Sequence, residues 1–310
     1  MGNILAGIFA IIFVVGFVIG GSVNVLIPLV SYRDWVRRRK MASVDQILMA
    51  LAISRLSLLW VAIVSVLTLF LCPTLEILRH VMRILNTIWV VANHFSLWFA
   101  TSLSIFYFLK IANFSNSLFL HLKWKVEKVV SMTPLVSLFF LVLNIVYADK
   151  KIDVWISRFL TYNSSRENST QITVILLLSN SVFLLLPFMA SLMAFLLLAF
   201  SLWKHLKKMQ HATTGARDAS TMAHVKALRT VMSSLLLYAI FLLSVVIEFL
   251  CFMFLGSDLV VCFDHGYLVT FHSWHSLVLI LENKKLRQAI LLVLSKLKCR
   301  AKGLEVSGPS

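Results

Sequence analysis

The chain has 310 residues, 60% of them apolar and only 14% charged, with a mean hydropathy of +0.90 and a formal net charge of +16. Soluble domains carry about 25% charged residues, so a water-soluble globule is excluded and a polytopic membrane protein with almost no soluble domain is expected.

An apolar run of about 18 residues or more can cross a hydrocarbon core of about 30 Å. Seven such runs follow in chain order, at about 8–31, 45–71, 81–109, 129–147, 173–203, 229–255 and 259–282. The first has no basic flank before it and exceeds the roughly 7–15 apolar residues of a cleaved signal, so it reads as an uncleaved first span. The last is the most polar, with Asp264, His265, His272 and His275. Single prolines fall inside runs one, four and five (Pro28, Pro134 and Pro187), where a kink can be absorbed by neighbouring helices.

The positive charge is distributed with the period of the spans. Of the 29 Lys and Arg residues, 22 lie after runs one, three, five and seven, six lie in the alternate segments, and Arg55 stands alone inside run two. Basic loops stay cytoplasmic and attract anionic lipid, so the surplus marks membrane orientation and not nucleic-acid binding. The expected fold is all-α: a single seven-helix membrane domain over 1–298, N-terminus outside, C-terminus inside, with a short cytoplasmic tail at 299–310. The outer stretch FLTYNSSRENSTQ then offers two glycosylation sequons, at Asn163 and Asn168, whereas a third at Asn113 falls on the inside and should be silent.

Other chemistry is thinly represented. There is no Walker loop, GxGxxG or HExxH, and no internal repeat. His272 and His275 form an HxxH pair without a convincing third ligand, so no metal, no cofactor and no enzymatic activity are expected. A transporter or channel would call for matched broken spans or a repeat. The four cysteines suggest no disulfide framework; Cys299, among basic residues past the last run, is either a palmitoylation site or a plain tail cysteine.

Arg55 is the anomaly. It interrupts LAISRLSLLW about 15 Å from the start of its span at Asp45, close to mid-bilayer, where a charge costs at least ~2.5–3.5 kcal/mol unless paired or hydrated. No acid lies at matching depth in another span, so amides, hydroxyls and carbonyls should hold it, with Asn24 of the first span and Ser276 of the seventh as candidates. It acts as a structural clamp, a polar switch, or both.

LAISRLSLLW resembles the second-span signature of the type 2 taste receptors, the bitter receptor family of G-protein-coupled receptors. The resemblance continues in order through FYFLKIANFSN after span three, LPFMASLMAFLLLAFSLWKHLKKMQ in span five, HVKALRTVMSSLLLYAI in span six and HSLVLILENKKLRQA in span seven. Departures are Gly20-Gly21 where the family has GN, His272 where it often has proline, and Phe241 where many relatives have tyrosine.

The resemblance implies a plasma-membrane receptor for small bitter compounds that activates a gustducin-like G protein, with other chemosensory receptors of vomeronasal type as the alternative class. It selects Trp89 and Asn93, four apart on one helix face, as ligand contacts, together with Phe241, Glu248 and His265 on the outer side. On the residues alone, Trp89 reads as an interface anchor and Asn93 as helix–helix glue, and Glu248, like Asp264 and His265, is either a solvated rim residue or a partner for cationic ligands. Tyr107, Lys110, His205, Lys207, Lys208 and Lys226 fall on the G-protein side. Membrane lipids are expected partners of the basic face, and association into homo- or hetero-oligomers is left open.

Overall fold

The structure, a computed structural model, describes residues 2–39, 41–71, 74–160 and 166–210, and from there 232–233, 236–237, 239–243, 246, 270–281, 283, 285–292, 295 and 299. Among these the chain is helical apart from short connections. Helix α1 spans Gly2–Arg38, α2 Ser43–Leu71, α3 Leu75–Ile111, α4 Ser117–Trp124, α5 Val126–Leu160 and α6 Arg166–Gln210. Residues 270–281 and 285–292 are also helical. Five of these helices, α1, α2, α3, α5 and α6, are long and apolar enough to cross a membrane, and they contain the first five apolar runs.

The helices outrun the apolar segments. At 1.5 Å per residue the 37 residues of α3 reach about 55 Å, so the helix projects beyond a ~30 Å core. Local signals set the ends. Arg39 adopts φ 51, and its N–H bonds back to the Trp35 carbonyl, a left-handed residue closing α1. Asn116 accepts from the Leu118 N–H and so caps α4. Asn283 accepts from the N–H groups of both Lys285 and Leu286, starting the 285–292 helix.

Lipid offers no hydrophobic drive for one apolar helix to prefer another, so close approach and polar contacts arrange the bundle. Helix α3 sits at the centre, packing against α2, α4, α5 and α6, while α1 packs on α2. Only 17% of the α5 span window is buried, against 56% for α2 and α3, so α5 is peripheral and presents Leu135, Val136, Phe139 and Val142 outward. At Gly20 a methyl would stand 2.9 Å from Ser273 Cβ; the absent side chain is what lets α1 seat against the 270–281 helix. Gly21, the other half of the pair, faces open space. The proline in α6 is tied in as expected: the Pro187 carbonyl lies 3.0 Å from Thr101 Oγ1 of α3, and Ser191 donates to that same oxygen at 2.9 Å.

Both poles are stitched by charge. Arg83 of α3 lies 3.4 Å from Asp149 of α5, beside a bond from Asn86 to the Ala148 carbonyl. At the other pole Lys285 bridges Asp34 and Asp45 at 2.7 and 2.9 Å, and Ser43 donates to Glu127 at 3.0 Å.

Candidate functional site: a buried arginine and its network

Helix α2 turns Leu51, Ser54, Arg55, Leu58 and Leu59 inward, the i, i+3, i+4, i+7, i+8 spacing of a buried face. Arg55 is thereby directed into the bundle and is 1% exposed. Its guanidinium distributes donors to two other helices. Nη1 donates to Ser276 Oγ at 2.6 Å, Nη2 to His275 Nδ1, and Nε to Ser96 Oγ of α3 at 3.4 Å.

Donor and acceptor counting fixes the rest. A guanidinium only donates, so His275 accepts at Nδ1, and each serine oxygen accepts from Arg55 while keeping one hydrogen to give. The Ser276 hydroxyl lies 2.9 Å from both Asn24 Oδ1 and the His272 carbonyl. Asn24, 1% exposed, donates to the Gly20 carbonyl of its own helix at 2.8 Å. The Ser96 hydroxyl passes its hydrogen to His272 Nδ1 at 3.3 Å, which leaves His272 Nε2–H to donate to Asn93 Oδ1 at 3.2 Å. One continuous chain therefore runs Arg55–Ser96–His272–Asn93, and a second runs Arg55–Ser276–Asn24.

The expected partners of Arg55 are thus present, with a refinement: Ser276 touches it directly and Asn24 through Ser276. Ser96, His272 and His275 were not singled out as partners from the sequence. Ser96 lies one helical turn from Asn93, so a search for hydroxyls on the Asn93 face would have found it. His272 and His275 turn their rings to Asn93, Ser96 and Arg55.

The other selected residues are placed as follows. Trp89 is buried one turn along α3 from the half-buried Asn93. Phe241 is 2% exposed and packs on Phe271 at 4.6 Å between ring centres. His94 faces away from Asn93, bonding Ser137 of α5 at 3.0 Å. Glu248 and His265 lie outside the described residues, as do Lys226 and Asn163. Tyr107 is half-buried, Lys110 lies over the Phe106 ring, and Lys207 over Trp203 near the end of α6, which also carries His205 and Lys208. Asn168 falls in the first turn of α6, in helix where a polar loop was expected. Asn113 is exposed between α3 and α4, its N–H donating to Ser201 of α6.

These features define a polytopic helical membrane protein whose described interior is organised round the buried Arg55. The description of the taste receptor protein family (TAS2R) matches residues 1–298. Similar proteins include taste receptor type 2 member 110 of Mus musculus, 48% identical over 97% of this chain and 96% of the relative. Member 125 of Rattus norvegicus is 47% identical over the full length of both, and member 14 of Macaca mulatta 47% over 99% and 98%. The chain belongs to the taste receptor type 2 family, the bitter taste branch of G-protein-coupled receptors.

Proposed function

We propose that this receptor crosses the plasma membrane seven times with its N-terminus outside, binds small bitter compounds in an outer cavity, and activates a gustducin-type G protein. Trp89 supplies apolar contact and Asn93 an orienting hydrogen bond, with Phe241, Glu248 and His265 completing the outer side. The inner ends of the fifth and sixth spans, with Tyr107, Lys110, His205, Lys207, Lys208 and Lys226, receive the G protein.

The observation that carries this reading is the hydrogen-bond chain from Asn93 to Arg55. An agonist shifts the equilibrium only by binding one bundle arrangement more tightly than another. A ligand on Asn93 acts on a residue already wired, through His272 and Ser96, to the cation that ties α2 to α3 and the 270–281 helix. Because Asn93 Oδ1 is committed to His272, the amide offers its Nδ2 hydrogens, and agonists with a carbonyl or hydroxyl acceptor are favoured. Arg55, Asn24 and Ser276 form the polar element whose two arrangements separate resting from active receptor.

The test is a panel of bitter compounds in cells carrying a gustducin chimera with a calcium readout. An aromatic contact of about 1–3 kcal/mol raises the half-maximal concentration about 5- to 150-fold in Trp89→Ala. Asn93→Ala should hurt acceptor-bearing agonists and spare apolar ones, with His94→Ala as the control. Unchanged potencies in surface-expressed Trp89→Ala would remove the ligand site from this face of α3.

A further inference from the structure

A cleft of about 480 Å³ opens between α3, α4 and α5. It lies on the α5 side of α3, where Trp98 stacks on Phe140, whereas Asn93 faces the 270–281 helix. Trp98, Leu122, Val129, Met132, Thr133 and Val136 line it, together with three basic side chains from the α4–α5 elbow, His121, Lys125 and Lys128.

The wall makes no polar demand. Its hydroxyl, Thr133 Oγ1, donates to the Val129 carbonyl of its own helix at 3.0 Å. From Lys125 to Val136 the wall rises about 16 Å along α5, about half of a ~30 Å hydrocarbon core and so the depth of one leaflet. The charges at the elbow divide into two sets. Lys123 is committed to the Ala112 carbonyl and the Phe119 ring, and the neighbouring acid, Glu127, receives a bond from Ser43 of α2. His121, Lys125 and Lys128 are exposed and, among the described residues, engage in no ion pair. An apolar groove one leaflet deep, with cations at the interfacial end, is complementary to an amphiphile with an anionic head and an apolar tail.

We propose that this cleft binds one anionic phospholipid of the leaflet on the α4–α5 elbow side. Its phosphate sits among His121, Lys125 and Lys128, and one acyl chain lies along Val129, Met132 and Val136 against Trp98. That this leaflet is the cytoplasmic one, where anionic lipids concentrate, rests on the orientation proposed above; the site itself does not.

The test uses the full receptor in nanodiscs of phosphatidylcholine doped with phosphatidylserine, where orientation has no influence, with retained lipid read by native mass spectrometry. Wild type should keep one phosphatidylserine in preference to phosphatidylcholine. Two lysines near a membrane surface act on an anionic lipid strongly enough that Lys125→Gln/Lys128→Gln should lower retention about 30-fold. Thr133→Phe, which fills the groove and leaves the charges intact, should lose the lipid as well. Soluble glycerophosphoserine should not displace it. Equal retention of both lipids by wild type, retention by the lysine pair variant at the wild-type level, or displacement by the soluble headgroup would each overturn the proposal. The lysine pair is exposed and its variant is expected to fold, so a failure of Thr133→Phe to fold leaves the decision with that pair.

Discussion

Arg55 and Lys285 are both cations wedged among helices of one bundle, and they are held in opposite ways. Arg55 is 1% exposed, and its partners among the described residues are two hydroxyls and an imidazole. The Lys285 side chain is 35% exposed and sits between two carboxylates, Asp34 and Asp45. Depth explains the contrast. At mid-bilayer a planar guanidinium, weakly hydrated and unable to lose its proton, can spread its charge over a fork of neutral acceptors fixed by several helices. At the interface water screens a compact ammonium, and flexible carboxylates suffice. Burial pulls the Lys285 ammonium down, but hydrogen bonds to Asp34 and Asp45, reinforced by their charges, outweigh it and raise its pKa above the ordinary value. A raised lysine contributes stability that is complete at neutral pH and is lost only as the pH climbs through that raised value, so substitution, not pH, separates the two sites.

The largest effect is expected at the interior. Arg55→Leu should abolish agonist response even in receptor that reaches the surface, because buried acceptors left unsatisfied cost about 1–3 kcal/mol each and the three helices lose their common partner. Normal signalling at normal surface density would show the network to be decoration. Next comes the link outward from it. His272→Phe keeps a ring but cuts Asn93 from Ser96, and a lost hydrogen bond of about 1 kcal/mol corresponds to a potency loss of about fivefold. If potency holds in His272→Phe while Asn93→Ala still discriminates among agonists, the two residues act separately. At the edge, Lys285→Gln removes a half-exposed bridge worth less than about 1 kcal/mol; surface density should fall by less than twofold with agonist potency unchanged, and a loss as large as that of Arg55→Leu would erase the distinction between depths. The smallest functional effect is expected from removing the sequons, whose use would report which pole Lys285 occupies. Glycosidase should shift the band of wild type but not of Asn163→Gln/Asn168→Gln, and a shift removed only by Asn113→Gln would invert the bundle.

Arg55 was legible in the sequence because a charge inside a hydrocarbon run has no bland explanation, and depth matching then pointed to Asn24 and Ser276. Ser96 was not, since a serine in a membrane helix ordinarily bonds its own backbone, as Ser102 and Ser104 do here. His272 and His275 were noticed only as an HxxH pair, because spacing along a chain says nothing about which way a ring turns. The five long helices follow from hydropathy, yet their ends do not: α5 continues to Leu160 and α6 begins at Arg166, because polar residues propagate a helix perfectly well once it leaves the lipid. Helix α4, eight residues long, is too short to register among the apolar runs, and the asparagine that caps it, Asn116, was not read from the sequence.

The bond between Arg55 and Ser276 joins positions 221 residues apart. At a synthesis rate of about 5–20 residues per second, a newly inserted Arg55 waits roughly ten to forty-five seconds before the helix that will hold it has been made. During that interval Ser96 of α3, 41 residues on, is the one of the described Arg55 acceptors already made. A chain ending before residue 270 lacks the Ser276 and His275 acceptors altogether. The bundle's central charge therefore ties the second span to a segment made 221 residues later, a dependence that a chain truncated before that segment cannot satisfy.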